Sequence, residues 1–279
     1  MKFAMKSIVA AASFVAVAAA QAASVTVVTD GVTVSNGVTA TGAGTLRFSQ
    51  NLASALKLGG VTVGAFGDGA SFVPVPIKNA AGKTLYTTYD ISAKINSLTY
   101  DSVSGAVTQV KSSGGATQDM AENLDISASG GKAAVGNLDV RFAADKSVEI
   151  YGSIVGTNYG TNTDVNYSGL LFTVASTAVS GVTSFTTTPG TYNTTLGVLA
   201  ISDAGFQALV DVFGLEEGLT GYNSLKAATT NFGSLSSSII VTAAGGVVTP
   251  PAGVPEPSTY ALMGLGLVGM SLVARRRAK

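Results

Sequence analysis

Apolar and polar positions alternate in short runs along most of the chain. The runs span Ser24 to Thr29, Val32 to Val38, Thr45 to Phe48, Gly60 to Ala65, Leu85 to Ile91, Ile95 to Tyr100 and Ala106 to Lys111. Later ones span Leu138 to Phe142, Val148 to Val155, Leu170 to Ala175, Val182 to Thr187 and Ser238 to Thr242. A period of two with β-branched residues is the pattern of a half-buried strand. Turn-forming residues separate the runs at Asp30-Gly31, Ser35-Asn36-Gly37, Asp68-Gly69, Ser113-Gly114-Gly115, Ser129-Gly130-Gly131 and Pro189-Gly190. The pattern predicts a mainly β domain, a β-sandwich or a barrel-like sheet.

One or two short helices interrupt it. Phe206, Leu209, Val210 and Phe213 fall at i, i+3, i+4 and i+7, with Ser202 placed to cap the start and Gly214 to end the helix. A second stretch, Ser49 to Leu58, ends at Gly59 and carries a narrower stripe of Leu52, Ala55 and Leu56. Leu46, Phe48, Ser49, Ala55 and Leu56 match Leu199, Ile201, Ser202, Ala208 and Leu209 at identical spacing, each copy reading strand, capping serine, helix. A duplicated strand-helix unit and a chance coincidence in an Ala/Ser/Leu-rich chain are both open on this pattern.

Two segments fall outside the alternation and divide the chain into parts. Residues 1–22 begin with Lys2 and Lys6 before the apolar run Ile8 to Ala20. Ala20-Gln21-Ala22 supplies the small residues that signal peptidase accepts, so cleavage is expected after Ala22. Residues 23–242 form the β-rich exported domain, and residues 243–254, AAGGVVTPPAGV, read as a flexible linker.

Residues 255–279 begin Pro255-Glu256-Pro257, and no charge follows until Arg275. The 18 residues from Pro257 to Ala274 span ~27 Å as a helix, nearly the ~30 Å of a bilayer core. Arg275, Arg276, Arg277 and Lys279 then hold the end on the cytoplasmic side, leaving everything before Pro257 outside. The order Pro-Glu-Pro, glycine-bearing apolar span, arginine cluster resembles the PEP-CTERM sorting signal of Gram-negative bacteria. The resemblance implies an exosortase-type membrane enzyme that cuts at or near the Pro-Glu-Pro site. It also implies an inner-membrane precursor, a final place at the cell surface or outside it, and a setting of exopolysaccharide and biofilm-like matrix. Gly264, Gly266 and Gly269 leave part of the span bare for close approach of another backbone.

Removing the two ends changes the charge. The whole chain is formally neutral, but residues 23–255 hold 10 Lys and Arg against 15 Asp and Glu, a net charge of −5. Such a domain offers no continuous basic surface, which argues against a nucleic-acid partner. There is no histidine and no cysteine, so serine-histidine and cysteine-histidine catalysis, disulfides and His/Cys zinc sites are excluded within the chain.

What remains is thin. Ser129-Gly130-Gly131-Lys132 has the letters of a serine-lysine motif but reads as a turn between strands. Glu216 with Glu217, and Glu122 with Asp125, are the acid pairs available to a glycosidase, yet both read as solvated charges in a chain without tryptophan. Asn162, Asp164 and Asn166 have the spacing that opens a calcium loop, but Tyr167 and Thr173 stand where such a loop needs glycine and an acid. Tyr86, Tyr89, Tyr151, Tyr159 and Tyr167 suit sheet faces or a stacked glycan. Thr183 to Thr195 reads as a polar strand-turn-strand, with O-glycosylation as the alternative. No catalytic residue, metal ligand or cofactor is assigned. The expectation is a non-enzymatic exported protein with a structural or adhesive domain; a glycan- or calcium-binding module comes second and a carboxylate-based hydrolase third.

Overall fold

The alternating runs fold into a closed barrel. The computed structural model describes residues 23–244. Its strands are β1 (Ser24–Val28), β2 (Val38–Phe48), β3 (Thr62–Phe66), β4 (Ser71–Lys78), β5 (Thr84–Asp101), β6 (Val107–Ser113), β7 (Gly115–Met120), β8 (Gly131–Phe142), β9 (Val148–Asn158), β10 (Thr163–Val174), β11 (Val179–Gly181), β12 (Gly190–Ile201) and β13 (Gly233–Ala243). Its helices are α1 (Gln50–Leu58), α2 (Asp203–Phe213) and α3 (Thr220–Lys226).

Eight strands form the ring, in the order β5-β2-β13-β12-β10-β9-β8-β6 and back to β5. The ring closes because β6 pairs antiparallel with β5 on one edge and with β8 on the other. That pairing decides between the two expected architectures: a sandwich would leave open edges, and a closed ring leaves none on these strands. The remaining strands flank it, β1 and β4 on β5, β7 on β8, β3 on β7 and β11 on β12.

Several boundaries differ from the sequence expectation. Val32 to Val38 is not a strand; Ser35 and Val38 only bridge each other across a tight turn. Leu85 to Ile91 and Ile95 to Tyr100 are one strand, β5, which serves β4, β2, β6 and β1 in turn. Ser113-Gly114-Gly115 is a kink, because β6 and β7 both follow β8. Val182 to Thr187 contributes one bridge, Ser184 to Ala106. Strands β4, β7 and β11 and helix α3 were not expected, so three helices replace one or two, and β12 joins the second strand expected within Thr183 to Thr195 to the strand expected before Ser202. The predicted transmembrane helix, the signal peptide and nearly all of the linker lie outside the described residues, among which no helix is long and apolar enough to cross a membrane.

The two expected helices are capped as read. Ser49 Oγ accepts from the Leu52 amide at 3.1 Å, and Ser202 Oγ from the Gly205 amide at 3.0 Å. Gly214 takes the left-handed conformation, φ 57°, that ends α2. The strand-serine-helix units β2-α1 and β12-α2 therefore share their local form.

Two apolar clusters fill the barrel. The larger joins the inward side chains Phe172, Ile150, Ile154 and Leu199 to the helix residues Leu52, Phe206, Leu209 and Val212. Burying each such side chain contributes about 1.5–3 kcal/mol. The smaller cluster, at the far end, gathers Val27, Ile95, Tyr100, Phe185 and Ile239, with Phe185 between the rings of Tyr100 and Tyr192. Both ends of the described chain leave there, since Ser24 lies opposite Asp101 and Thr39 meets Thr242.

The Asp30-Gly31 turn carries a pH prediction. The Asp30 carboxylate accepts from the Thr33 hydroxyl at 2.6 Å and from the amides of Val32 and Thr33 at 2.8 and 2.7 Å. These bonds, led by the Thr33 hydroxyl, hold its pKa down at about 2. A pKa depressed in the folded state gives stability that is full above the ordinary carboxylate value and is lost as pH falls through the folded one. Chemical denaturation at stepped pH should therefore show wild type losing stability between about pH 4 and pH 2, with a shallower loss in Asp30→Asn. Identical pH profiles would show that the turn contributes nothing.

Candidate functional site

Two spaces of the described domain bear on ligand binding, a broad concavity and a space inside the barrel. The concavity is a cleft of about 700 Å³ between the β9–β10 hairpin and helices α2 and α3. Its wall is pinned by Asn158, the last residue of β9, only 5% exposed. The Asn158 Nδ2 donates to the Asp211 carbonyl at 2.7 Å, which ties the hairpin to the end of α2. Its Oδ1 accepts from the amides of Gly160 and Thr161 at 2.9 and 3.0 Å and from the Ser129 hydroxyl at 3.1 Å. A single side chain thus uses nearly its full hydrogen-bonding capacity to hold strand, turn and helix.

Around that pin stand three exposed carboxylates, Asp164, Asp211 and Glu217, over apolar Val165, Val210 and Leu215. Asp164 accepts from Thr157 at 2.7 Å and Asp211 from Gln207 at 2.8 Å. Neither ion pair of the described residues, Arg47–Asp90 at 2.7 Å and Arg141–Asp139 at 2.8 Å, involves this cleft. The arrangement is an acidic opening with an apolar floor.

The enclosed space lies inside the barrel, lined by Gly44, Leu46, Ile91, Ala93, Val135, Leu138, Phe172 and Leu196 among others, and holds about 60 Å³. Ligand pockets for organic molecules run to ~300–1,000 Å³. The lumen is therefore core with a residual gap.

The residues singled out from sequence are dispersed by the fold. Glu122 and Asp125 are exposed beside the short 3-10 turn Leu124–Ile126; Glu216 and Glu217 are exposed after α2. Ser129 bonds Asn158, while Lys132 is exposed on β8, so the motif is the turn that was read. Asn162 sits in the hairpin turn with φ 51°, and Asp164 and Asn166 follow on β10, so the three make no loop. Among the described residues no group of three or more acidic, His or Cys side chains is placed to hold a metal.

The tyrosines cover the sheet. Tyr89 stacks on Phe72 at 5.4 Å. Tyr151 donates to Glu149 at 2.9 Å beneath the Arg141 guanidinium, 4.2 Å away, and that hydrogen bond raises its pKa. Tyr159 donates to Asp119 at 3.0 Å and Tyr167 to the Leu170 carbonyl at 2.8 Å. Of Thr183 to Thr195, the part up to Pro189 is a loop and the rest is the start of β12, the second strand of the expected strand-turn-strand; there Tyr192 donates to the carbonyls of Thr186 and Thr188, both at 2.9 Å. The sequence reading missed Asn158 and the cleft; the one local signal was the Asn-Tyr-Gly stretch of a hairpin turn.

The processing residues, Ala20 and Ala22 at one end and Pro255, Glu256, Pro257, Arg275, Arg276 and Arg277 at the other, lie outside the described residues. Here comparison with known proteins bears on function. Residues 253–277 match the PEP-CTERM protein-sorting motif. The chain therefore carries this sorting signal at its C-terminus, which implies export and a membrane-anchored precursor processed by an exosortase. No curated protein matches the chain. Among solved structures, the heme binding protein HtaB from Corynebacterium glutamicum aligns over 74% of this chain and 96% of its own at 12% identity, with a TM-score of 0.38. A likeness that distant transfers neither fold detail nor ligand.

Proposed function

We propose that this is a non-enzymatic exported protein whose barrel serves a structural or adhesive role at the cell surface or in the extracellular matrix after its tail is processed. The sorting motif at residues 253–277 carries the export half of the reading. Support for the other half comes from the barrel: its interior is occupied by its own side chains, and the acid pairs that a hydrolase would use stand exposed on separate turns.

Exopolysaccharide is the matrix component that the sorting signal's setting suggests. The test is retention. Deleting the gene should weaken cell aggregation, while purified residues 23–253 show no turnover on polysaccharides. Calcium or soluble glycan bound tightly by the purified domain, with aggregation unchanged in the deletion, would replace this reading with a ligand-binding module. Turnover lost on neutralising Glu122, Asp125, Glu216 or Glu217 would replace it with a hydrolase.

A further inference from the structure

One part of the domain projects from the barrel. The last pair between β2 and β5 is Arg47 with Asp90, and Thr84 to Tyr89 run on beyond it, paired with β4. Thr88 is buried, donating to the Phe48 carbonyl at 2.6 Å, and Tyr89 packs on Phe48, so the free arm is Thr84 to Thr87, roughly 14 Å at ~3.4 Å per residue. Its turn is held in shape: Asn79 Oδ1 accepts from the amides of Ala81 and Lys83, both at 3.0 Å, and the Asn79 amide donates to the Lys83 carbonyl at 2.9 Å. Leu85, on the free arm, is 61% exposed, and Val73, opposite Asp90 at its base, 52%. Lys78 and Lys83 flank the turn, exposed, and neither belongs to an ion pair of the described residues. A two-stranded ribbon with apolar side chains in water is marginal unless something packs on it.

The arm cannot accept that partner by ordinary strand addition along β4. Pro74 and Pro76, opposite Tyr89 and Thr87, have no amide hydrogen to offer along the outer edge of β4. The tip and faces combine two cations with apolar side chains. The cleft beside α2 has the complementary character, three carboxylates without ion-pair partners over an apolar floor.

Within one copy the two features stand on opposite sides of the ring. The arm grows from β5 and the cleft is built on β10, four strands away in the eight-stranded ring. Both lie at the helix-bearing end, opposite the chain termini. We infer that the β4–β5 tip of one copy docks in the β10–α2 cleft of a second copy of this chain. Because both features lie at one end, a two-fold axis lets each tip enter the other copy's cleft at once, which closes a dimer. This inference rests on the structural reading above and names the partner that such a domain would engage.

The test is sedimentation velocity of residues 23–253, a span that includes the whole barrel and both apolar clusters. Wild type should associate with rising concentration at low salt and dissociate at about 0.5 M salt, where charges are screened within a few ångströms. K78E/K83E and D164K/D211K/E217K should each weaken association roughly ten-fold or more. Mixing the two variants, which restores opposite charges at every contact, should restore it.

Wild type that stays monomeric overturns the inference, as does a mixture that fails to reassociate while both variants melt like wild type. Binding of monomeric wild type to phosphatidylglycerol vesicles, lost in K78E/K83E, would assign the arm to an anionic membrane and also overturn it. A monomeric result leaves the aggregation test of the preceding section standing, so the two failures are distinguishable.

Discussion

Glu256→Ala is expected to leave the unprocessed precursor in the inner membrane, with little or no shortened protein outside the cell. The physical reason lies in the order of residues. Proline fixes its own backbone torsion, lacks an amide hydrogen and disfavours helix in the residue before it. Pro255 and Pro257 flank Glu256 at the point where the apolar segment begins. The carboxylate is the only charge between the linker and Arg275, so a processing enzyme has one ionic feature to recognise on that side.

Removing Arg275 to Arg277 should have the same outcome by a different route. Each arginine costs about 2.5–3.5 kcal/mol to place at the centre of a membrane helix, and a basic cluster of this kind favours the cytoplasmic side of a bilayer. Whole-protein mass measurement on membrane and medium fractions reads both effects. Normal maturation of the two variants would sink the assignment of this tail to exosortase processing.

Gly131→Ala is expected to be the most damaging small substitution in the barrel. Helix α2 lies on β8 and β9 where both strands are bare: a Cβ at Gly131 would sit 2.0 Å from the Val212 carbonyl oxygen and 2.8 Å from that of Thr157. A Cβ at Gly156 would sit 2.3 Å from the Lys132 carbonyl and 3.0 Å from a Val212 methyl. The first clash is with backbone on both sides, so no rotamer change relieves it and the helix itself must lift. That lift opens the contact of Val212, Leu209 and Phe213 with the sheet. A cost of about 3 kcal/mol or more follows, or a fall in Tm of roughly 6–12 °C in a domain of this size. Gly190→Ala is the control, since nothing lies within 4 Å of its Cβ position. Equal melting of the two variants would show that α2 slides over the sheet without loss.

The same contrast explains what could be read in advance. Helix α2 was legible because every signal was local: a capping serine, an apolar stripe and a glycine that takes φ 57°. Strand β4 was hidden by Pro74 and Pro76, which argue against a central strand and are admitted because β4 is an edge. Strand β7 was hidden by its own polarity, since Gln118 faces inward and is 3% exposed between Ala116 and Met120. In β12 the hydroxyl-rich start, Thr191 to Thr195, hid its continuity with the stretch anchored by Leu196 and Leu199, which makes one strand.

Barrel closure depends on β6 meeting β8 about thirty residues away, Gln109 with Arg141, which no local pattern encodes. The cleft was invisible for the same reason: Asn158 and Asp211 are 53 residues apart. The sorting signal, by contrast, was fully legible, because its information is the linear order of a few residues and needs no fold.

The exit of the chain at the end of β13 has a mechanical meaning. Strand β13 runs the length of the barrel wall with β12 hydrogen-bonded on one side and β2 on the other. Those bonds lie across the strand direction. A load applied between the tail and the helix-bearing end would pull β13 along its own axis, so both ladders would bear it together in shear and would not peel one rung at a time. A domain attached through its C-terminus and gripped at its opposite end is thereby loaded in its strongest direction.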